Sequence, residues 1–489
     1  TFNQVKAAQV EPEQVVETKV DDPGDKADLS NPDPGINPEV PLNYDVPRLE
    51  DVSVPGPVDP SQSIGIPGAP PDAPQDNIPA PPGLGNGLGG GITSDTAGHA
   101  ALNDLFGGKG GLMVAGGFGG RSGSTRERLA MEGGGNALSE AAVANGLLFL
   151  ARHQSADGHW SMEHWDRNYH AKESDPSAPR APYNGTGLGT NNDVAGTAFG
   201  LLPFLGAGYT HKPPAADATG KAPHINYQKV VKAGLDYLIR KQTAQGEFPG
   251  GMYAHGLAAI AVCEAYGLTS DPLLKRSAQK AIDFIVYAQD PSKGGWRYTP
   301  RTDSDTSVTG WQVMALKSGQ MAGLNVPSGT LRGAEKWLDS CMTKDKGGYG
   351  YTGPEETPTM TSVGLLCRMY LGWSPKNPGL LAGVKKLKAY PPGSINSLYY
   401  YYYATQVMHH MGGEDFAAWN PKMRDLLIKT QDKGTDAKRP MQRGSWDPKG
   451  DVHGTVGGRI MITSLSLLTL EVYYRHLPLY KRDLGVMKE

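Results

Sequence analysis

Residues 227–268 read YQKVVKAGLDYLIRKQTAQGEF, then PGG, then MYAHGLAAIAVCEAYGL. In the first half Val230, Val231, Gly234, Leu235, Leu238 and Ile239 recur at helical spacing on one stripe, which predicts an amphipathic helix with one wet face. In the second half Ala254, Gly256, Leu257, Ala258, Ala259, Ile260, Ala261 and Val262 leave little polar surface on any side, as in a helix buried all round. An outer helix is thus followed by an inner one. Gln242-x-x-x-Gly246-x-Phe248 joins them: Gln242 ends the outer helix, Gly246 permits the turn and Phe248 plugs the junction.

The module recurs along the chain. Residues 138–154 close in Gln154-x-x-x-Gly158-x-Trp160 and pair with 193–209. Residues 278–289, ending at Gln289 with Gly294-Gly295-Trp296 following, pair with 306–323; 330–341, with Gly347-Gly348-Tyr349, pair with 359–373. Two more divergent pairs are 378–388 with 396–411, and 421–431, leading to Gly444-x-Trp446, with 455–476. A helical repeat of this length cannot bury its apolar face alone, so copies stack. Six hairpins predict a closed ring of inner helices within a ring of outer ones, because closure removes both exposed ends.

These Gln-Gly-aromatic turns between alternating outer and inner helices resemble the repeats of the squalene cyclase and protein prenyltransferase superfamily over roughly residues 139–480. The resemblance implies an all-α fold, an (α/α)6 toroid. It implies an activity only loosely, because function lives in sites grafted onto folds. The family's cyclases protonate an alkene from an Asp-x-Asp-Asp-Thr motif. Aligned on Thr306, this chain has Asp305 at the last acid, Ser304 at the proton-donating middle one and Thr302 at the first. The zinc site of the prenyltransferases is built from Asp, Cys and His; Asp193, His255 and Cys263 are present here, but outside that family's local motifs.

The organisation read from composition is an acidic Pro/Gly-rich arm (1–100), a Gly-rich linker (101–137), the toroid (138–480) and a short tail (481–489). The arm carries 16 acidic residues against four basic ones, a charge of −12, and the whole-chain charge of −3 then leaves +9 for the rest. Punctuation such as Asp22-Pro23-Gly24 and Pro81-Pro82-Gly83 gives extended chain with too little apolar content to fold alone. Val15, Val16, Ile64 and Ile66 are anchors by which the arm would lie on a neighbouring copy, linking subunits into a homo-oligomer or filament. The Gly-rich run 83–123 lacks the preceding strand and following Lys-Ser/Thr of a phosphate-binding loop. The three cysteines have no metal-type spacing and read as small buried hydrophobes. No metal, cofactor or nucleic-acid partner is expected, and no run of about 18 apolar residues marks a membrane span. The first residue is Thr rather than Met, which fits an upstream segment removed from the chain.

Asp303 and Asp305 are the candidate catalytic residues. They open an inner helix, where first-turn amides and the macrodipole favour carboxylates, and N-capping, the favoured reading, explains them without catalysis. His255, Glu264, Trp311, Tyr399, Tyr403 and His410 are the candidates for lining a cavity. In the run Tyr399–Tyr403, Tyr399 and Tyr403 share a face, while five consecutive rings point all round the helix, so several must pack between the layers. The connection 161–192, with His164, Asp166 and His170, is long enough to cap one mouth of the ring. The sequence reading expects a non-catalytic binding or assembly module at the cell envelope or outside the cell, or alternatively in the cytoplasm, self-associating through the arm. A lipid or isoprenoid is its expected cavity ligand. The alternatives are an isoprenoid cyclase with Asp303 and Asp305 at the cavity mouth, and a polysaccharide-processing (α/α)6 enzyme drawing two carboxylates from Asp303, Asp305, Glu264 and Glu471.

Overall fold

A computed structural model describes residues 117–121, 123–165, 192–213, 227–436 and 439–480. The arm, its anchors Val15, Val16, Ile64 and Ile66, Asp166, His170 and the tail lie outside the described residues. Among the described residues the fold is helical, with three isolated β-bridges.

A short turn at Gly119–Arg121 and helix α1 (Gly123–Glu132) precede six hairpins. Their outer helices are α2 (Ala137–Arg152), α4 (Gln228–Lys241), α6 (Pro272–Ala288), α8 (Ser328–Cys341), α10 (Pro378–Lys388) and α12 (Gly413–Thr430). The inner helices are α3 (Asp193–Gly206), α5 (Gly251–Thr269), α7 (Thr306–Met321), α9 (Pro358–Tyr370), α11 (Leu398–Met411) and α13 (Gly454–Leu470), and a short α14 (Val472–Arg475) follows. Each inner helix packs on the next, and α13 packs on α3, so the inner ring closes. The fold is the expected (α/α)6 toroid, with inner helices starting within two residues of the expected positions.

Two local expectations need correction. Ile239 leaves the buried stripe and is 37% exposed, while Tyr237 is buried in α4 instead. Helix α12 begins at Gly413, eight residues before Pro421, and runs through that proline, whose ring sits on the exposed side of the helix.

In four of the six hairpins the recurrent turn welds the hairpin to its neighbour. Gln154 Nε2 donates to the Gly158 carbonyl of its own turn (2.9 Å) and to the Val230 carbonyl of the next outer helix (2.9 Å). Gln242 does the same for Gly246 and Ser277, Gln289 for Gly294 and Thr330, and Gln431 for Gly444 and Ala142. The last of these bridges joins the sixth hairpin to the first. At Gly158, Gly246, Gly294 and Gly444 φ lies between +88° and +99°, and a Cβ would collide with a carbonyl of the next outer helix. Only glycine fits there.

The aromatic residue closes each junction. Trp160, Phe248, Trp296 and Trp446 are buried, and the three indoles donate to Leu150, Ile285 and Leu427 carbonyls at the outer-helix ends. Their backbone amides donate to a hydroxyl on the inner helix: Trp160 to Thr197, Trp296 to Thr309 and Trp446 to Thr463, all at 3.0–3.2 Å. Tyr349 uses Thr361 in the same way. In the second hairpin His255 stands in for the threonine, with Nδ1 accepting from Phe248 N (3.0 Å) and Nε2 donating to the Ala281 carbonyl (3.1 Å).

Candidate functional site

The loops that lead into the inner helices are stitched together at one end of the ring. Asn192 Nδ2 donates to Gly250 O, Met252 N to Tyr298 O, Thr306 N to Tyr351 O, and Val452 N to Asn396 O. The N-termini of the inner helices therefore surround one mouth, and Asp303, Asp305, Trp311, Tyr399 and Tyr403 gather on this side. Glu264 and His410 belong to the opposite end. His255 lies between the two layers, where its hydrogen bonds hold the Phe248 turn. Neutrality suits that place: burial lowers the pKa to about 4, against the pull of the Ala281 carbonyl.

Asp305 N-caps α7, with Oδ1 accepting from Val308 N (2.7 Å) and Ser307 Oγ (2.9 Å). Its side chain is fully buried, and Oδ2 has no hydrogen bond of ordinary length; Arg297 Nε lies 3.8 Å away. Burial pushes this carboxyl up to about 6, against the Val308 amide, Ser307 and Arg297. Asp303, two residues earlier, is about a third exposed and takes Lys293 Nζ (2.5 Å) and Arg297 Nη1 (2.6 Å). Partial burial would raise its pKa, but Lys293, the Ser304 amide and Arg297 outweigh that and hold it at about 2. One loop thus carries a carboxyl that takes up a proton near pH 6 beside one that stays ionised. Ser304, in the middle-acid position of the cyclase motif, is buried and donates to Asp290 Oδ2 (3.2 Å).

Aromatic rings fill the axis beneath this loop. Trp311 meets Tyr253, Tyr399 and Tyr403 at centroid distances of 5.5–6.0 Å, stacks on Tyr402 (22° between planes) and meets Phe199 edge-on. Tyr400 and Tyr401 turn the other way, toward Trp419 and the loop after α10. The run of five is thus divided between the axis and the outer layer, as five consecutive helical positions require. The Trp311 indole N–H and the Tyr399 and Tyr403 hydroxyls are buried inside this cluster, with Tyr253 beside Trp311 and Tyr399, and Tyr403 beside Tyr399. Tyr298 and Tyr351, with hydroxyls 3.1 Å apart, border the mouth with exposed Val452 and Val456.

Asp451 and His453 complete the mouth. Asp451 accepts from the Leu398 and His453 amides, and burial raises its pKa against those two bonds. His453 lies 5.3 Å from the Tyr399 ring, and burial lowers its pKa. Arg297, Tyr253, Tyr298, Tyr351, Asp451 and His453 escape the sequence reading. The only hint is that each precedes or opens an inner helix, as Asp303 and Asp305 do.

At the opposite end Glu264 is clasped by Arg121 Nη1 (2.6 Å) and Arg475 Nη2 (3.1 Å), and Arg475 also donates to Tyr402 Oη. Burial would raise the Glu264 pKa, but the two guanidiniums overcome this and keep it low. Glu471, whose oxygens have no hydrogen-bond partner among the described residues, is driven well above the carboxylate range by burial. A cleft beside this cluster is lined by Glu264, Lys317, Tyr370 and His476. His410 is buried nearby, its ring 6.0 Å from that of His476. Among the described residues no group of three His, Cys, Asp or Glu side chains is placed to hold a metal, and no helix is long and apolar enough to cross a membrane.

No family model and no curated protein matches the chain. Solved structures of similar architecture include an alpha-1,6-mannanase, GH76A of a Salegentibacter species (12% identity, TM-score 0.46, covering 69% of this chain and 98% of that one). Another is the cellobiose 2-epimerase of Spirochaeta thermophila (11%, TM-score 0.45, 72% and 99%). A third is a type II terpene cyclase from Scytonema in complex with geranylgeranyl dihydroxybenzoate (13%, TM-score 0.43, 69% and 97%). These similar structures are enzymes, two of them named for carbohydrates, and the expectation of a non-catalytic assembly module is corrected accordingly. What the chain has in common with them is its architecture: it is an (α/α)6 toroid.

Proposed function

We propose that the chain is a polysaccharide-processing enzyme working at the mouth formed by the N-termini of the inner helices. The observation that carries this reading is the pair Asp303 and Asp305, two carboxyls of one loop that share Arg297, with pKa values of about 2 and about 6, beside a buried cluster of aromatic rings. Cleavage of a glycosidic bond needs one carboxylic acid to protonate the leaving oxygen and one carboxylate to stabilise or attack the positive anomeric carbon or to activate water. Asp305 fits the first role because burial keeps its proton to higher pH. Asp303 fits the second because Lys293 and Arg297 hold it ionised. The borders Tyr253, Tyr298 and Tyr351 offer flat apolar faces with hydroxyl edges, matching the apolar faces and hydroxyl edges of sugar rings. A polymer substrate puts the place of work at the cell envelope or outside the cell.

Release of new reducing ends from a panel of polysaccharides is the test. Turnover is expected with the native chain and should be lost in Asp305→Asn. Absence of turnover on every polymer, together with conversion of a polyprenyl substrate, would replace this reading by the isoprenoid one.

A further inference from the structure

We propose that Asp305 does not meet the substrate itself but delivers its proton through the hydroxyls of Tyr351 and Tyr298, with Tyr298 the group that touches the glycosidic oxygen. The inference rests on the polysaccharide reading and adds the residues that carry the proton. Its starting point is an obstacle: the Asp305 side chain has no exposed surface, so a sugar at the mouth cannot reach the carboxyl. Oδ1 is occupied by Val308 N and Ser307 Oγ, which leaves Oδ2 to hold the proton. With Arg297 Nε at 3.8 Å, the Tyr351 hydroxyl faces this carboxyl from the loop after α8, beyond ordinary hydrogen-bond length. Catalytic hydrogen bonds are often long in unliganded enzymes and tighten when substrate binds. Tyr351 Oη in turn lies 3.1 Å from Tyr298 Oη, and Tyr298 is 40% exposed at the mouth. A line of hydroxyls thus runs from a buried acid to the surface.

The backbone fixes both phenols in this line. Thr306 N donates to the Tyr351 carbonyl (2.9 Å) and Met252 N to the Tyr298 carbonyl (3.0 Å), so each tyrosine is pinned to the start of an inner helix, α7 or α5. Burial, with Asp305 close by, raises the Tyr351 pKa, so this phenol passes a proton only by taking one as it gives one. The transfer is then concerted. Asp305 Oδ2 gives its proton to Tyr351 Oη, Tyr351 gives its own to Tyr298 Oη, and Tyr298 gives its own to the glycosidic oxygen. The bond from that oxygen to the anomeric carbon breaks, and its electron pair stays on the oxygen. Water adds to the anomeric carbon beside ionised Asp303, and the proton it sheds returns along the same hydroxyls to Asp305. The other titratable side chains that face Asp305 are Arg297 and, from α5, α8 and α11, Tyr253, Cys341 and Tyr399. Burial raises the pKa of the last three, so they stay uncharged near pH 6 and do not compete for the proton.

The test compares the full chain with its Tyr298→Phe, Tyr351→Phe and Asp305→Asn variants on a polysaccharide that the native chain cleaves, and on an aryl glycoside of the same sugar. On the polymer, kcat should fall roughly 100-fold or more in each phenylalanine variant, with KM little changed because the ring remains. The aryl glycoside's phenolate leaves without needing a proton, so there all three variants should stay near the native rate. Rates of the native chain in mixtures of light and heavy water should trace a bowed curve, the mark of more than one proton in flight. A phenylalanine variant that cleaves the polymer at the native rate, while Asp305→Asn is inactive, overturns the relay and leaves the enzyme reading standing. Equal losses on polymer and aryl glycoside overturn it as well, because a misshapen mouth fails on both. No cleavage of any polymer overturns both readings. The Tyr298 hydroxyl sits on an exposed residue, so its removal spares the fold. If Tyr351→Phe does not fold, the native chain decides, and a straight line in the light and heavy water mixtures refutes the relay.

Discussion

At the scale of the residue, Asp305 has two roles that substitution separates. Asparagine caps a helix about as well as aspartate, so Asp305→Asn keeps the Val308 amide satisfied and removes a charge that burial disfavours. Its melting temperature at pH 8 should equal or exceed that of the native chain while polysaccharide turnover disappears. Asp305→Ala should lose activity and about 1 kcal/mol of stability through the lost cap. Because Asp305 must be protonated to act as an acid, turnover is expected to fall as pH rises through about 6, and a pH–rate profile checks this. The fold also draws a proton onto Asp305 between its unfolded value, near 4, and its folded one. This contribution to native stability is therefore present at low pH and lost as pH rises through that window.

At the scale of the element, the Gln-Gly-aromatic turn is a joint made of three parts. Gln289→Ala removes two donations, to Gly294 and Thr330 carbonyls, and should cost about 1–3 kcal/mol in chemical denaturation. Trp296→Ala empties a fully buried indole site and should cost about 3–5 kcal/mol. The second joint carries a different partner: His255→Thr shortens the side chain that reaches Ala281 and should destabilise α5 against α6 without altering the mouth. A loss of turnover in His255→Thr at unchanged stability would place His255 in the chemistry instead.

At the scale of the whole molecule, the ring is closed twice. Gln431 ties the last turn to α2, and Arg121, from outside the repeats, reaches Glu264 in α5, Leu205 in α3 and the Arg475 carbonyl at the end of α14. Arg121→Ala leaves Glu264 buried with one cationic partner, a loss on the order of 3–5 kcal/mol, read as a lowered denaturation midpoint. Glu264 has a lowered folded pKa, so its contribution is present above the unfolded value, near 4.3, and lost as pH falls through the folded one. The native chain should therefore lose more stability below pH 4 than the variant does. Self-association through the arm stays a proposal: removal of residues 1–100 should leave a folded monomeric toroid by light scattering, and assembly unchanged by that deletion would exclude the arm as the link.

The sequence by itself determined the six hairpins, the outer or inner place of each helix, and the turns, because each follows from a local requirement that recurs. A stripe must be buried, a backbone must take positive φ against a neighbouring carbonyl, and an aromatic ring must fill a junction. It also found Asp305, because a helix start has its own chemistry, and it divided the tyrosine run, because five consecutive positions surround a helix. Only the tertiary structure decided where the polar residues meet. His255 reads as a cavity residue until the Phe248 amide and the Ala281 carbonyl are seen on its two nitrogens. Glu264 reads as a spare carboxylate until Arg121 and Arg475, 143 and 211 residues away, close on it. The meeting of Trp311, Tyr399 and Tyr403 with Tyr253 has no sequence signature, since it is a property of the ring's closure: helices distant in the chain converge on one axis, and what each polar atom touches there is set by that convergence.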